Sequence, residues 1–491
     1  MPFDNLHQIS LPPAATLRDA LITLDRTGRG IVLVVNDEDI LEGVITDGDV
    51  RRSILAGAGL DSALQDHVKR EFTFARVGMS REQLMAMMSE SIRHLPVIDE
   101  KGRATDLICW SDYWRLPIME PTLVGNELAY VTECIHTNWI SSQGKFVDRF
   151  QDAFAEYLDM PHALSTSSGT AALHLALVAL GIGPGDEVIV PDLTFGASAN
   201  VVIHAGARPV FCDVDPYTWT IDVEDAARRI TSRTRAIMPV HLYGHPCDMD
   251  PLMALAKANK LWVVEDCAES LGATYKGRKA GTFGDVSCFS FFANKVITTG
   301  EGGMTVTNHA DLHEKMAILR DHGMSKERRY WHLYPGFNYR MTNMQAAIGL
   351  AQLERIESFL NYREVIVKRY DEELGPLPGV EVPPRADWGK SIFWLYSILV
   401  EEERSGISST RLAEKLHDYG IETRRLFTPL HGQPAYRDTG VAKGDFPVAA
   451  RLHAQGLSLP TSNDLSLKLV EKVCATIKSS TEGARFTQQV I

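Results

Sequence analysis

Cysteine is scarce and unpaired in this sequence: seven residues in 491, an odd number, with no Cys-x-x-Cys and no Cys/His pairing at ligand spacing. That pattern excludes a disulfide framework and suggests no metal site, and it fits a reducing cytoplasm. Positive charge is also short. Lys and Arg number 50 against 63 Asp and Glu, for a formal net charge of −13. The basic runs Arg51-Arg52 and Arg328-Arg329 are brief, so the electrostatic footprint of a nucleic-acid binder is missing. No apolar run reaches the roughly 20 residues of a membrane span. The start, with Asp4 and Pro12-Pro13, lacks a basic segment leading into an apolar core. The expectation is a cytoplasmic protein acting on small molecules, with no membrane span and no nucleic-acid partner.

What is present is ordinary globular material, 45% apolar and 23% charged, in a chain too long for one core. Two or three domains are expected. Residues 1–116 read as two similar units, each with a helix, an apolar strand, a turn and a returning strand. In the first, Thr16 to Asp25 is the capped helix, Ile31–Val35 the buried strand, Asn36–Asp39 the turn and Ile40–Thr46 the return. In the second the same parts are Ser80–Ser91, His94–Ile98, Asp99–Gly102 and Leu107–Cys109. The repeat resembles a CBS-domain pair, most closely at Gly43-Val44-Ile45-Thr46-Asp47-Gly48-Asp49-Val50-Arg51. That resemblance implies an adenine nucleotide held by Thr46 and Asp49. The second unit departs from it: Asp112 matches the acid, but Cys109 replaces the Thr and Asp106 the Gly. A folding or oligomerisation module without ligand is the alternative.

From about Glu120 helical and strand segments alternate, which predicts an α/β fold with a mainly parallel sheet whose sites collect at strand carboxyl ends. Gly169–Leu180 reads as a helix; Glu187–Val190, Arg208–Phe211, Ala236–Val240 and Leu261–Asp266 read as strands. The Pro-rich interval from Gly375 to Pro384 predicts a boundary between a larger domain (120–374) and a smaller α+β one (375–478). Polar residues 479–491 read as a tail.

Three segments carry chemistry. Ser167-Ser168-Gly169-Thr170 leads into a helix, whose free N–H groups and positive dipole end suit a phosphate, although Ser before a helix is also an ordinary N-cap. Asp266 ends an apolar strand and could keep a pyridinium nitrogen protonated, or merely cap a loop. Lys295 lies in the apolar, Thr/Gly-rich stretch Phe289 to Met304, where burial would lower its pKa and free an amine for Schiff-base chemistry. Ser290 and the following Gly-rich turn suit phosphate contact and close backbone approach.

In this order, with Pro191–Phe195, Met238–Gly244 and Gly336–Ala347, these segments resemble the sugar aminotransferases of the DegT/DnrJ/EryC1/StrS family, of the aspartate-aminotransferase (type I pyridoxal-phosphate) fold. The resemblance covers nearly all of residues 120–478. It implies pyridoxal 5'-phosphate bound covalently by Lys295, which would also shuttle the proton. Asp266 would pair with the ring nitrogen, and Phe195 would stack on the ring where Tyr is more usual. Glu269 falls where the family places a polar side chain, often Gln, near the phenolic oxygen. Ser168, Gly169, Thr170 and Ser290 would bind the phosphate. Asn338 would reach it from a partner subunit, which implies a homodimer or higher oligomer.

Asn138–Gly144, the lysine segment and Arg329-Tyr330-Trp331 resemble the branch of the family that aminates GDP-4-keto-6-deoxymannose to GDP-perosamine with L-glutamate, a step toward O-antigen-type polysaccharide. A UDP- or dTDP-linked keto-sugar is the main alternative, and a non-catalytic regulator with this fold is another. Candidates for substrate contact are Trp139, Ser142, His241, Arg424 and His431; Arg suits a diphosphate by its forked donors. A dehydratase branch of the same fold carries His in place of the lysine, and Lys295 argues against it.

Overall fold

The computed structural model describes residues 6–79, 83–84, 87–88, 92–109, 116–437 and 444–488. The chain divides into two compact units, Met1–Arg115 and Leu116–Ile491. Leu116, which the sequence places in the first module, belongs to the second. Its N–H donates to the Gly420 carbonyl at 2.8 Å, and its side chain joins a core there.

In the first unit, Thr16 caps α1 (Leu17–Thr27) through a reciprocal hydrogen-bond box with Asp19, and Gly28, at φ 61°, ends it in the left-handed region. Leu17, Ala20 and Leu24 fall on one face and are buried. Strands β1 (Ser10–Leu11), β2 (Ile31–Val35) and β3 (Leu41–Thr46) pair parallel, then antiparallel. After β3 comes α2 (Asp47–Leu55). Strands β4 (Ala75–Arg76), β5 (His94–Ile98) and β6 (Ala104–Cys109) repeat that order and those directions. Both antiparallel ladders slip at the same place, Val34/Val35 and Val97/Ile98. The repeat in sequence is thus a repeat of topology. The helix expected over Ser80–Ser91 falls largely outside the described residues, and Asp112 lies wholly outside them.

The second unit opens with α3 (Glu127–His136) and α4 (Lys145–Leu158), whose Phe146, Phe150 and Phe154 pack with Phe289 and Phe291. Then come β7 (His162–Thr166), α5 (Gly169–Ala179), β8 (Glu187–Pro191), β9 (Arg208–Cys212), β10 (Thr234–Ile237) and β11 (Trp262–Asp266). A hairpin of β12 (Thr274–Tyr275) and β13 (Arg278–Lys279) precedes β14 (Val286–Ser290) and β15 (Gly303–Thr307). Among the described residues the central sheet has the order β7-β15-β14-β11-β10-β8-β9. Every pairing is parallel except those of β15, which runs antiparallel to both neighbours. Strands β8 and β15 are buried along their whole length, and α5 is apolar nearly all round, as elements covered on both sides must be. The regular strand ends at Ile237, but the pairing expected to Val240 continues: the Met238 N–H donates to the Ile189 carbonyl at 2.8 Å, the Pro239 carbonyl accepts the Asp266 N–H at 2.9 Å, and Val240 bridges Asp266 in parallel.

Helices α6 (Asn343–Leu353) and α7 (Ile356–Leu374) lead to a second, antiparallel sheet. It contains β16 (Val380–Glu381), β18 (Tyr396–Val400), β19 (Arg424–Arg425) and β20 (Gly456–Leu459), in the order β16-β18-β20-β19, while β17 (Gly389–Lys390) pairs with β12. Its core draws on α8 (Ser409–Asp418) and α9 (Leu467–Gln488), and also on Ile366, Val367, Tyr370 and Leu374 of α7. Packing of the smaller sheet therefore begins before Gly375. The tail expected from Ser479 is instead a continuation of α9. Ser480 and Thr481 are buried there, their hydroxyls donating to the Thr476 and Ile477 carbonyls one turn back, so polar composition does not mean exposure.

Candidate active site

The carboxyl ends of β7, β8, β10, β11 and β14 meet at one cavity of about 290 Å³. It is lined by Ser168, Gly169 and Thr170 after β7, Phe195 after β8, Asp266 and Glu269 from β11 onward, and Ser290 and Lys295 from β14 onward. Trp394, Arg424 and Phe427 close it from the smaller sheet.

Ser168 is the N-cap of α5, its Oγ accepting the Ala171 N–H at 3.0 Å, and the first-turn N–H groups behind it lack intrahelical acceptors. Gly169 is required by closeness: a Cβ there would lie 2.7 Å from the Cβ of Ser290. Asp266 is buried, and its carboxylate accepts from Ser198 Oγ at 2.8 Å and from the Ala268 N–H at 3.1 Å. Burial pushes its carboxyl above the usual range despite those donors.

Lys295 Nζ lies 3.6 Å from Glu269 Oε1 and 3.7 Å from the centre of the Trp394 ring. Burial lowers the Lys295 pKa. Glu269 Oε2 accepts the Tyr243 N–H at 2.8 Å, and burial raises its carboxyl to about 7. Trp394 is fixed by its indole N–H, which donates to the Asn294 carbonyl at 2.7 Å. Tyr243 stacks between Trp394 (6.3 Å, 8°) and Phe427 (5.3 Å, 16°), and its hydroxyl oxygen accepts the Phe427 N–H. Phe195, 62% exposed, lies 6.0 Å from Phe427.

Sequence reasoning missed Trp394, Phe427 and Ser198. Trp394 stands within Ile392-Phe393-Trp394-Leu395-Tyr396, which reads as core, and Phe427 stands beside Pro429 in a loop; neither carries a spacing signal. Tyr243 was legible only as part of a motif. Its φ of 51° is uncommon for a bulky residue and turns its ring into the stack.

Among the substrate candidates only Arg424 lines the cavity, with its guanidinium 3.7 Å from Glu422. His241 is corrected. It is fully buried, with Nε2 on Glu265 at 2.9 Å and Nδ1 accepting the Cys247 N–H at 3.0 Å, so neither ring nitrogen is available to a substrate. Glu265 in turn accepts from the Gly281, Phe283 and Gly284 N–H groups and from Ser287 Oγ, which makes it the hub of a structural network behind Asp266. His431 Nδ1 is 2.6 Å from the buried Asp192 carboxylate. His431, Trp139, Ser142 and Asn338 are not among the described residues that line the cavity, and Asn338 is exposed.

In the first unit, Thr46 Oγ1 donates to Asp49 Oδ2 at 2.6 Å, and the pair forms the capping box of α2. Asp49, 5% exposed, also meets Arg52 at 2.6 Å and Lys69 at 2.8 Å. Burial alone would raise its carboxyl; Lys69, Thr46 and Arg52 outweigh that and hold it at about 2.

Residues 121–478 match the sequence profile of the DegT/DnrJ/EryC1/StrS aminotransferases. The chain belongs to that family. Residues 7–56 match the CBS domain. Curated relatives include GDP-perosamine synthase of Caulobacter vibrioides, 50% identical over 370 residues (75% of this chain, 98% of the relative). The Escherichia coli O157:H7 GDP-perosamine synthase is 46% identical, covering 74% and 97%. Among solved structures, S. venezuelae DesV aligns with a TM-score of 0.69 at 35% identity, covering 73% of this chain and 94% of that one. A Streptococcus pneumoniae sugar aminotransferase solved in its PMP form aligns at 0.72 and 30%, covering 77% and 100%.

As a DegT/DnrJ/EryC1/StrS enzyme the protein is a sugar aminotransferase that works with pyridoxal phosphate. The cavity's chemistry fits that cofactor. A helix start and Ser290 suit its phosphate, a buried carboxylate suits a protonated ring nitrogen, and a buried amine suits its aldehyde. The Gly169 gap keeps the helix start and Ser290 close enough to serve one phosphate.

Proposed function

We propose that this enzyme moves the amino group of L-glutamate to C4 of GDP-4-keto-6-deoxymannose, releasing 2-oxoglutarate and GDP-perosamine. The observation that carries the amino transfer is the placement of Lys295 between Glu269 and Trp394 in a cavity that also holds Asp266. The choice of sugar is supported by 50% identity to a GDP-perosamine synthase spanned over 98% of its length.

Pyridoxal phosphate, when bound, supplies an aldehyde to accept nitrogen and a ring to delocalise the carbanion's electron pair. Ser168, Gly169, Thr170 and Ser290 would hold its phosphate, Asp266 would keep its ring nitrogen protonated, and Phe195 would pack against the ring. Lys295 carries the proton to and from the substrate carbon. Arg424 meets a substrate carboxylate or diphosphate at the mouth. Asn338, exposed and away from its own chain's cavity, reaches a partner's cofactor, so the working form is a homodimer or larger, in the cytoplasm. An adenine nucleotide at Thr46 and Asp49 would have to displace the capping contacts of α2.

The test is to load the enzyme with L-glutamate, remove excess, and add GDP- or UDP-linked 4-keto-6-deoxy sugar, following aminated sugar by mass spectrometry. Product from the GDP sugar alone supports the proposal. Product from the UDP sugar alone overturns the substrate, and absence of 2-oxoglutarate overturns the transamination.

A further inference from the structure

Glu269 sits three residues beyond Asp266, 5% exposed, with one oxygen on the Tyr243 N–H at 2.8 Å and the other 3.6 Å from Lys295 Nζ. The Trp394 ring covers the same Nζ at 3.7 Å. The other charged groups facing the pair are Asp266 from β11 and Arg424 from β19. The Tyr243 phenol is turned away, its oxygen on the Phe427 N–H. An ammonium or a carboxylate alone in so buried a place is costly, whereas a pair that differs only in where one proton resides is not.

We propose that Glu269 is the counter-ion that sets the proton affinity of Lys295: from 3.6 Å its carboxylate favours the ammonium, and Lys295 presents its lone pair more readily once that carboxylate is neutralised. Glu269 acts through Lys295 and is a positioning residue for it. Burial moves the two groups toward each other in proton affinity, the carboxyl up to about 7 and the ammonium down. The inference rests on Lys295 as the cofactor lysine and not on which nucleotide sugar is bound.

The experiment labels the full-length protein with an amine-specific reagent across a pH series, with and without pyridoxal phosphate, and reads modification of Lys295 by mass spectrometry. Pyridoxal phosphate should protect Lys295; labelling undiminished by it would remove Lys295 as the cofactor lysine and leave the Glu269 question separate. Without cofactor, Glu269→Gln should lower the labelling midpoint by about 1–3 pH units, the effect of losing an opposite charge within ~4–6 Å. Glu269→Asp keeps the charge but withdraws it by a methylene, and should fall between. A midpoint in Glu269→Gln equal to wild type refutes the proposal. If that variant fails to fold, a wild-type midpoint in Glu269→Asp refutes it equally.

Discussion

Gly169→Ala is the sharpest probe of how the cavity is built. The added methyl would stand 2.7 Å from the Ser290 Cβ and 3.2 Å from its Cα and Oγ. Apolar carbons rest about 3.5–4.0 Å apart, so the start of α5 and the end of β14 must separate by roughly 1 Å. Overpacking of this kind costs about 1–3 kcal/mol. Replacing Gly by Ala within a helix recovers at most about 1 kcal/mol. With that full recovery the net, up to about 2 kcal/mol, falls on the two elements that would share the cofactor phosphate, and 1.4 kcal/mol is about tenfold in an equilibrium constant. We expect pyridoxal phosphate to bind more weakly, by up to about 30-fold, measured by fluorescence titration of the cofactor-free protein, with the thermal transition lowered by a few degrees. Ser290→Gly in the same chain removes the opposing Cβ and should restore the melting temperature but not the phosphate contact. Wild-type cofactor affinity and melting temperature in Gly169→Ala would show that the reasoning about this contact is wrong.

Lys295→Ala should abolish amino transfer while leaving the circular dichroism spectrum unchanged, since the side chain's partners are one carboxylate and one ring face. Asp266→Asn should lower turnover by at least about tenfold through loss of the charge that keeps the ring nitrogen protonated, with the fold retained because Ser198 can still donate; single-turnover kinetics with L-glutamate read it. The Asp49 carboxyl is lowered to about 2, so it contributes stability above the unfolded value of about 3.9 and loses it as pH falls toward 2. The protection factors of the α2 amides, exchange corrected for its intrinsic pH dependence, should therefore fall between about pH 4 and pH 2, and Asp49→Asn should abolish that dependence.

Strand β2 was legible to the residue because an apolar, largely β-branched run between Gly30 and the Asn36-Asp37 turn leaves little choice, and β5 because it repeats that unit and ends at the Asp99-to-Gly102 turn. Helix α5 was legible from its Ser168 cap and apolar run, and with it three of the strand-end segments that line the cavity. The side wall was not. Trp394 and Phe427 reach the cavity only because a second sheet, distant in sequence, packs beside the first, and no local pattern encodes that meeting. His241 misled for the opposite reason. Its segment ends a strand that points at the cavity, but its ring turns back to Glu265, a choice made by side-chain direction rather than by position along the chain. The end of α9 misled because Ser and Thr can satisfy their hydroxyls within a helix.

Lys295 answers to two parts of the chain at once. Its backbone follows β14 of the large sheet, while its ammonium leans on a ring held just ahead of β18, in a stack that continues into the loop after β19. Thinning the core that the ring shares, as at Leu395 or Leu430, would let that ring drift without any change to a cavity residue. The openness of one amine to its surroundings is thus set by how firmly hydrocarbon is packed elsewhere in the chain.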